Sequence, residues 1–213
     1  DRIDWKRFQK DPKWLIGFSD ITALHSHVHR HLGIETLHAP MALTLPKMTP
    51  ASIHVFKDTL FGQRLRYTWQ SKTEDPSLHR RGKGKGVITG GNLSMLYSLI
   101  GSPSDIDTQG KILFLEDLDE YLYHIDRMMM NLKRSGKLEN LAGLIVGGMT
   151  EMKDNEVPFG KTAEEIIADA VKEYSFPVYF GFPSGHVANN YPLIFGRRVT
   201  LNVSDKMELT FNR

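Results

Sequence analysis

Short apolar runs and amphipathic stretches alternate along the first 70 residues of the chain, and each pattern predicts a different kind of element. Apolar or alternating runs predict strands at 14–18, 36–41 and 66–70. A 3.6-residue spacing of apolar positions predicts helices at 20–32 and 50–61. Gly33 suits the end of the first helix, and Pro50 suits the first turn of the second.

The segment 71–86 is polar, charged and rich in glycine, which predicts a linker or an exposed loop. After it, strand and helix patterns alternate. Strands are predicted at 87–91, 111–117, 141–149 and 177–182, and helices at 92–101, 120–136 and 162–174. Asn92, and Thr162 with Glu165, suit helix N-terminal caps. Two alternating runs predict paired edge strands at 197–203 and 206–211.

Strands that alternate with helices indicate an α/β fold with mostly parallel strands. The change of composition at 71–86 predicts a domain boundary there. The first residues, DRIDWKRFQKDPKW, contain neither an initiator methionine nor a signal-peptide pattern. We therefore expect the chain to be part of a longer protein.

Composition narrows the classes of function. The 213 residues include 27 basic and 25 acidic side chains, and the net charge of +2 indicates neither a nucleic-acid partner nor an anionic membrane. The sequence has no cysteine, which excludes disulfides, thiolate metal sites and a cysteine nucleophile. No apolar run approaches the roughly 20 residues that a membrane-spanning helix needs.

Ser19 lies where a predicted strand turns into a predicted helix. The sequence around it, Gly17-Phe18-Ser19, matches the first half of the G-x-S-x-G pattern that exposes a nucleophilic serine at a sharp turn. The second glycine of that pattern is replaced by Ile21. The turn would bring the backbone N–H of Asp20 near the serine oxygen, as an oxyanion-hole donor requires. The alternative interpretation is that Ser19 or Asp20 only caps the helix.

Two further candidates follow predicted strands, where α/β folds collect functional groups. Glu116 ends the strand KILFLE, and a carboxylate there could orient a histidine. His186 lies in the Gly/Pro-rich loop GFPSGHVANN, and histidine is the usual general base near neutral pH. The alternatives are a solvated acidic loop and an ordinary loop histidine. Ser19, Glu116 and His186 follow each other in the chain order of one class of serine hydrolases.

A metal site is the main competing interpretation. Two histidine pairs with i, i+4 spacing lie in the predicted helix, namely His25 with His29 and His27 with His31. The pairs face different sides of that helix and no third ligand is evident, so a mixture of core and surface histidines is favoured.

GKGKG at 82–86 and GGN at 90–92 match neither phosphate-binding glycine motif, which favours a flexible loop and a glycine turn.

Six stretches carry a more specific signal than any single motif. They are GFSDITALH (17–25), LHAPM (37–41), GGNLSMLYSLIGSP (90–103), GKILFLEDLDEYLYHIDRMMMNLKRSG (110–136), LAGLIVGGM (141–149) and PVYFGFPSGHVANNYPLIFG (177–196). In this order they resemble the LD-carboxypeptidases, the muramoyltetrapeptide carboxypeptidase family of serine peptidases.

The resemblance implies an activity and roles for the candidates. Such enzymes hydrolyse the L,D-amide bond between a diamino acid (meso-diaminopimelate or lysine) and the terminal D-Ala of murein tetrapeptides, in cytoplasmic peptidoglycan recycling. Ser19 would be the nucleophile, Glu116 the triad acid and His186 the base, with the Asp20 N–H in the oxyanion hole. The resemblance implies no metal, no other cofactor and no nucleic-acid or membrane partner, but it does imply a homodimer.

The resemblance also implies an architecture. Residues 1–62 would be the C-terminal remnant of a doubly wound, flavodoxin-like nucleophile domain, and 63–86 a connecting strand and linker. Residues 87–213 would form the C-terminal α/β domain, with a barrel-like sheet. Ala39 replaces a glycine that is common in the family. Two alternatives remain open: an immunity-type peptidase of the same family that cleaves aminoacyl-nucleotide antibiotics, and a peptidoglycan-fragment binder without catalysis.

Overall fold

The computed structural model describes residues 2–70 and 75–212 of the chain. Its strands are β1 (Ile16–Gly17), β2 (Thr36–His38), β3 (Arg66–Trp69), β4 (Gly82–Asn92), β5 (Ile112–Leu118), β6 (Gly143–Thr150), β7 (Val178–Tyr179), β8 (Leu193–Phe195), β9 (Arg198–Val203) and β10 (Met207–Phe211). Its α-helices are α1 (Lys6–Lys10), α2 (Thr22–His31), α3 (Pro50–Leu60), α4 (Leu93–Leu99), α5 (Leu122–Arg134) and α6 (Ala163–Ala170). Short 3-10 turns occupy Ser19–Ile21, Leu45–Lys47 and Pro76–Leu78.

The strands form two sheets. A small sheet has the order β1-β2-β8, and a large one has the order β3-β10-β9-β4-β5-β6-β7. Strands β4 to β7 are parallel, and α4, α5 and α6 connect them in turn, whereas β9, β10 and β3 are antiparallel to their neighbours. The mixed α/β class predicted from the sequence is thereby confirmed.

Strand β5 is buried on both faces and carries the centre of the core. Leu113 and Leu115 pack into a cluster with α4, α5 and α6. Ile112 and Phe114 pack on the opposite face, among residues of β2, β8, β9 and β10. Because side chains alternate along a strand, Glu116 follows Phe114 toward the face covered by the small sheet.

The predicted linker at 71–86 is wrong over its last five residues, because Gly82 already begins β4. Residues 71–74 lie outside the described residues. A Cβ atom added to Gly84 would overlap the carbonyl oxygen of Ala142, and one added to Gly86 would overlap that of Gly110. The glycines therefore let neighbouring backbones approach closely. Composition alone cannot distinguish glycines with this role from glycines in a flexible loop.

The two C-terminal strands pair as predicted but are not edge strands. β9 lies between β4 and β10, and β10 lies between β9 and β3. Their buried positions, among them Val199, Leu201 and Leu209, pack in the core. The edge position belongs to β3, which the sequence places before the predicted domain boundary.

Two predicted helix caps are confirmed. The side chain of Asn92 caps α4 by accepting from the N–H of Met95, and Thr162 and Glu165 form a capping box on α6. Among the described residues, no helix has both the length and the apolar character needed to cross a membrane. The domain bounds and the barrel-like character of the sheet stay predictions.

Candidate active site

Ser19 lies in a strained turn between β1 and α2. Its φ of +58° is in the left-handed region, where a non-glycine residue costs on the order of 1–3 kcal/mol. A Cβ atom on Gly17 would come within 2.7 Å of the Ile21 side chain, so Ile21 packs directly over this bare backbone. The residue that breaks the G-x-S-x-G pattern thus fills space beside the first glycine.

The helix-cap interpretation of Ser19 and Asp20 finds no hydrogen bond in the described structure. The cap position of the 3-10 turn is occupied by Phe18 and that of α2 by Ile21, so neither Ser19 nor Asp20 stands at a cap position. Backbone strain of this kind clusters at active sites and ligand-binding turns.

Glu116 and His186 are brought together by the fold. The carboxylate of Glu116 is fully buried, and its Oε2 lies 2.7 Å from Nδ1 of His186. An ionised carboxylate can only accept, so Nδ1 carries the hydrogen and Nε2 of His186 is left as an acceptor. Gly185 has φ +101°, and a Cβ atom there would lie 2.5 Å from the same carboxylate oxygen. A glycine is therefore required beside this pair.

The environment keeps the carboxylate charged. Burial is the largest effect on the pKa of Glu116 and raises it, but the imidazoles of His186 and His38 together outweigh burial and leave that pKa below its usual value. For His186, burial lowers the pKa, but the hydrogen bond and the charge of Glu116, with the charges of Asp117 and Glu151, raise it above 6.5. The two groups thus behave as a coupled carboxylate–imidazole pair.

The turn that carries Ser19 contacts this pair through Phe18, and Ser19 itself is not bonded to the pair. The Phe18 ring, next to Ser19 in the chain, has its centroid 4.8 Å from that of His186. The Ser19 side chain is half-buried, and within the described residues it makes no hydrogen bond to His186. The hydroxyl of Thr22, at the start of α2, accepts from the N–H of Asn92 at 3.0 Å and ties the serine turn to the end of β4.

Sequence reasoning missed His38, which also faces Glu116. Its Nε2 lies 4.0 Å from Oε1 of the carboxylate, and both side chains are fully buried. Nδ1 of His38 lies 3.3 Å from Oγ of Ser184, and the amide oxygen of Asn190 accepts from the N–H of Gly185. A signal existed in LHAP (37–40), where a histidine ends an apolar strand just before a proline, and in the asparagine that follows His186.

Asp117, next to Glu116, has a structural role at the start of α4. Its carboxylate accepts from the amide of Asn92 at 2.8 Å and from the backbone N–H groups of Ser94 and Leu118 at 2.9 Å. Burial, with a smaller contribution from Glu116, raises the pKa of Asp117 to about 6.

The four histidines of α2 make contacts with protein groups. His25 bonds the carbonyl of Gly17, His29 bonds Thr36, His27 bonds Ser104, and His31 bonds the carbonyl of Pro103. The predicted pairing on two faces is confirmed, because the ring centroids lie 6.5 Å apart for His25 and His29 and 4.5 Å apart for His27 and His31. In the described part of the chain, no three potential ligands cluster as a metal site would need.

Comparison with known proteins adds to this geometry. A family model described as the LD-carboxypeptidase C-terminal domain matches residues 85–201, and one described as the N-terminal domain of the same family matches residues 1–39. A probable murein peptide carboxypeptidase of Bacillus subtilis is 35% identical over 207 residues, which are 96% of this chain and 64% of the relative. The chain thus spans a little under two thirds of that relative.

Solved structures share the fold. The crystal structure of a muramoyltetrapeptide carboxypeptidase from Oxalobacter formigenes matches 99% of this chain and 72% of its own, with a TM-score of 0.88 and 27% identity. The microcin C7 self-immunity protein MccF, in complex with aspartyl sulfamoyl adenosine, matches 100% of this chain and 71% of its own with a TM-score of 0.83. Its identity of 20% supports a common fold alone.

Proposed function

Since this chain belongs to the LD-carboxypeptidase family, we propose that it carries the catalytic part of a serine carboxypeptidase. The proposed reaction is hydrolysis of the L,D-amide bond between a diamino acid, meso-diaminopimelate or lysine, and the terminal D-Ala of murein tetrapeptides. Its place would be peptidoglycan recycling in the cytoplasm. The observation that carries the proposal is the buried pair of Glu116 and His186, 2.7 Å apart, beside the strained turn of Ser19.

The proposed mechanism uses the tautomer that the pair favours. With the hydrogen of Nδ1 held by Glu116, Nε2 of His186 accepts the proton of the Ser19 hydroxyl as its oxygen attacks the carbonyl carbon. His186 then returns that proton to the departing amine of D-Ala. A water molecule, deprotonated by the same nitrogen, then attacks the acyl carbon, and His186 returns the proton to the Ser19 oxygen as the tripeptide leaves.

The charges that develop during the reaction are stabilised by the Glu116 carboxylate and by a backbone N–H donor. The lowered pKa of Glu116 keeps it ionised, so it stabilises the imidazolium that forms at His186 during attack. The N–H of Asp20 is the proposed donor to the developing oxyanion. Every step uses protein groups and water, so the proposal requires no metal and no organic cofactor.

The test is release of D-Ala from L-Ala–γ-D-Glu–meso-diaminopimelate–D-Ala. We expect release that disappears in Ser19→Ala and persists in Ser98→Ala, a control at an exposed serine of α4. The assay is run on this chain and on a form extended at its N-terminus by the part that relatives carry. A folded, extended form that releases no D-Ala would contradict the proposed substrate.

A second candidate function is cleavage of aminoacyl-nucleotides, the alternative that the family resemblance leaves open, and the fold shared with MccF is compatible with it. The same serine and imidazole would attack the acyl group of such a compound. Turnover of an aminoacyl-nucleotide without release of D-Ala would select this alternative. Retained binding of the tetrapeptide without turnover of either compound would select a peptidoglycan-fragment binder. The homodimer implied by the resemblance stays a prediction.

A further inference from the structure

Two buried polar atoms face each other on the side of Glu116 that His186 does not occupy. They are Oε1 of Glu116 and Nε2 of His38, 4.0 Å apart, and neither has a hydrogen-bond partner in the described structure. A distance of 4.0 Å is too long for a hydrogen bond, and it is too short for a bridging water, which needs about 4.5 Å or more between the two atoms. A small approach of the two groups would satisfy both.

The carboxylate that Nε2 of His38 faces, 4.0 Å away, decides that this nitrogen carries a hydrogen. Nδ1 of His38 lies 3.3 Å from Oγ of Ser184. The Ser184 hydroxyl donates to the carbonyl oxygen of Tyr191 at 2.9 Å, so its oxygen can accept from Nδ1 of His38 and does not require a lone pair there. A hydrogen on Nε2 points at the carboxylate. With the hydrogen on Nδ1 alone, the lone pair of Nε2 would face a negative oxygen in a dry interior, which is repulsive.

Aromatic rings hold the imidazole in this orientation. The ring centroid of His38 lies 5.0 Å from that of Phe114, 5.2 Å from that of Phe195 and 6.1 Å from that of Phe18. The strand that carries His38, β2, is paired on both sides, with β1 and β8. The group that faces Oε1 is therefore fixed by packing as well as by Ser184.

We propose that His38 is a positioning residue, which donates from Nε2 to Oε1 of Glu116 and fixes the carboxylate plane so that Oε2 faces His186. The inference rests on the proposed function and deepens it. A carboxylate held on both oxygens cannot turn away from His186, and a proton on Oε1 becomes unfavourable. The triad acid is thus kept both oriented and charged.

The titratable groups around His38 are Glu116 of β5 and His25 of α2. The His25 ring centroid lies 6.4 Å from that of His38. Burial lowers the pKa of His25 to about 3, so that imidazole is neutral near pH 7. The charge that His38 meets is therefore that of Glu116.

Two substitutions separate positioning from packing. In His38→Gln the amide nitrogen takes the place of Nε2 and keeps a donor toward Glu116, whereas in His38→Asn it takes the place of Nδ1 and leaves Oε1 unpaired. We expect kcat to fall about 10- to 100-fold in His38→Asn, the effect of one hydrogen bond to a charged group, with KM little changed. His38→Gln should recover most of that loss. Equal losses in both variants, or full activity in His38→Asn, would overturn the proposal.

A measurement on the unsubstituted chain tests the inference apart from catalysis. Nitrogen-15 NMR of histidine-labelled protein reports which ring nitrogen carries hydrogen, with the exposed His54→Gln variant as an assignment control. We expect His38 to carry its hydrogen on Nε2; a hydrogen on Nδ1 alone would refute the proposal, even if the variants do not fold. A chain that releases no D-Ala yet shows the Nε2–H tautomer would count against the proposed function and leave this inference standing.

Discussion

At the scale of single residues, the candidate site depends on positions where the backbone is crowded or has a positive φ. Gly17 leaves room for Ile21, Gly185 leaves room for the Glu116 carboxylate, and Ser19 adopts a left-handed φ of +58°. These are local departures from ordinary backbone preference, and such departures concentrate at functional sites.

Substitution of Gly185 by alanine should disable the carboxylate–imidazole pair. The new Cβ would lie 2.5 Å from Oε2 of Glu116 and would push the carboxylate away from His186. We expect kcat/KM for D-Ala release to fall by about 100-fold or more. The matched control is Gly160→Ala, because Gly160 also has a positive φ, +82°, but nothing within 4 Å of its Cβ position. Equal activity in the two variants would contradict this account of Gly185.

The pH dependence of activity should report the coupling of Glu116 and His186. The base must be neutral, and Glu116 raises the pKa of His186 above 6.5, so kcat/KM should rise with pH through a midpoint above that value. In Glu116→Gln the largest of the charges that raise the pKa of His186 is gone while burial remains. The midpoint should therefore move to lower pH as the maximal rate falls. A midpoint unmoved by this substitution would assign the acidic limb to another group.

At the scale of elements, helix α2 has one pair of histidines that faces the core and another pair that faces the surface. His25 and His29 lie against β2 and β8, and burial lowers their pKa values to about 3 and about 4. A surface-facing pair, His27 and His31, contacts the segment around Pro103. The i, i+4 spacing that suggested a metal site therefore serves packing on two sides.

These depressed pKa values predict acid sensitivity. Below about pH 6.5 the unfolded chain binds protons at His25 and His29, whereas the folded chain does so only near pH 3 and pH 4. The free energy of unfolding is therefore highest above pH 6.5 and decreases as the pH falls toward these lower values. At pH 5 each histidine should already lower the free energy of unfolding by about 2 kcal/mol relative to pH 7. Urea unfolding at pH 7 and pH 5, in the chain and in His25→Gln, measures this loss; the same pH dependence in both would contradict it.

Strand β4 shows what the sequence could and could not predict. Its second half, VITGG, and the cap at Asn92 followed from pattern and capping preference, and so did most of the helices. The first half, GKGKG, combines glycine with charge and therefore predicts a loop. The reason for its glycines lies in backbone contacts with distant residues such as Ala142 and Gly110. Non-local approaches of this kind leave no periodic signal.

Substitution of Gly84 by alanine should destabilise the large sheet, since the added carbon would overlap the carbonyl oxygen of Ala142. We expect a loss of about 2 kcal/mol or more in the free energy of unfolding, measured with urea. Lys85→Ala, at the exposed neighbouring position, is the control and should change stability little. Comparable stability of the two variants would argue against a tight crossing at Gly84.

At the scale of the whole molecule, the site is assembled from segments far apart in the chain. Ser19 follows β1, His38 ends β2, Glu116 lies in β5, and His186 follows β7. The small sheet takes β8 from the last part of the chain, and the large sheet takes β3 from the first. Chain order and strand ends were enough to nominate Ser19, Glu116 and His186, whereas His38 required knowledge of which strand packs over β5.

The central claim is that Ser19 is a nucleophile activated by His186. The measurement that tests it most directly is mass spectrometry of the chain, extended as its relatives are, after treatment with a fluorophosphonate, which reacts with activated serines. We expect a single adduct on Ser19, present in the unsubstituted protein and lost in a His186→Gln variant that remains folded. An adduct confined to other serines, or equal labelling of Ser19 in both proteins, would contradict it.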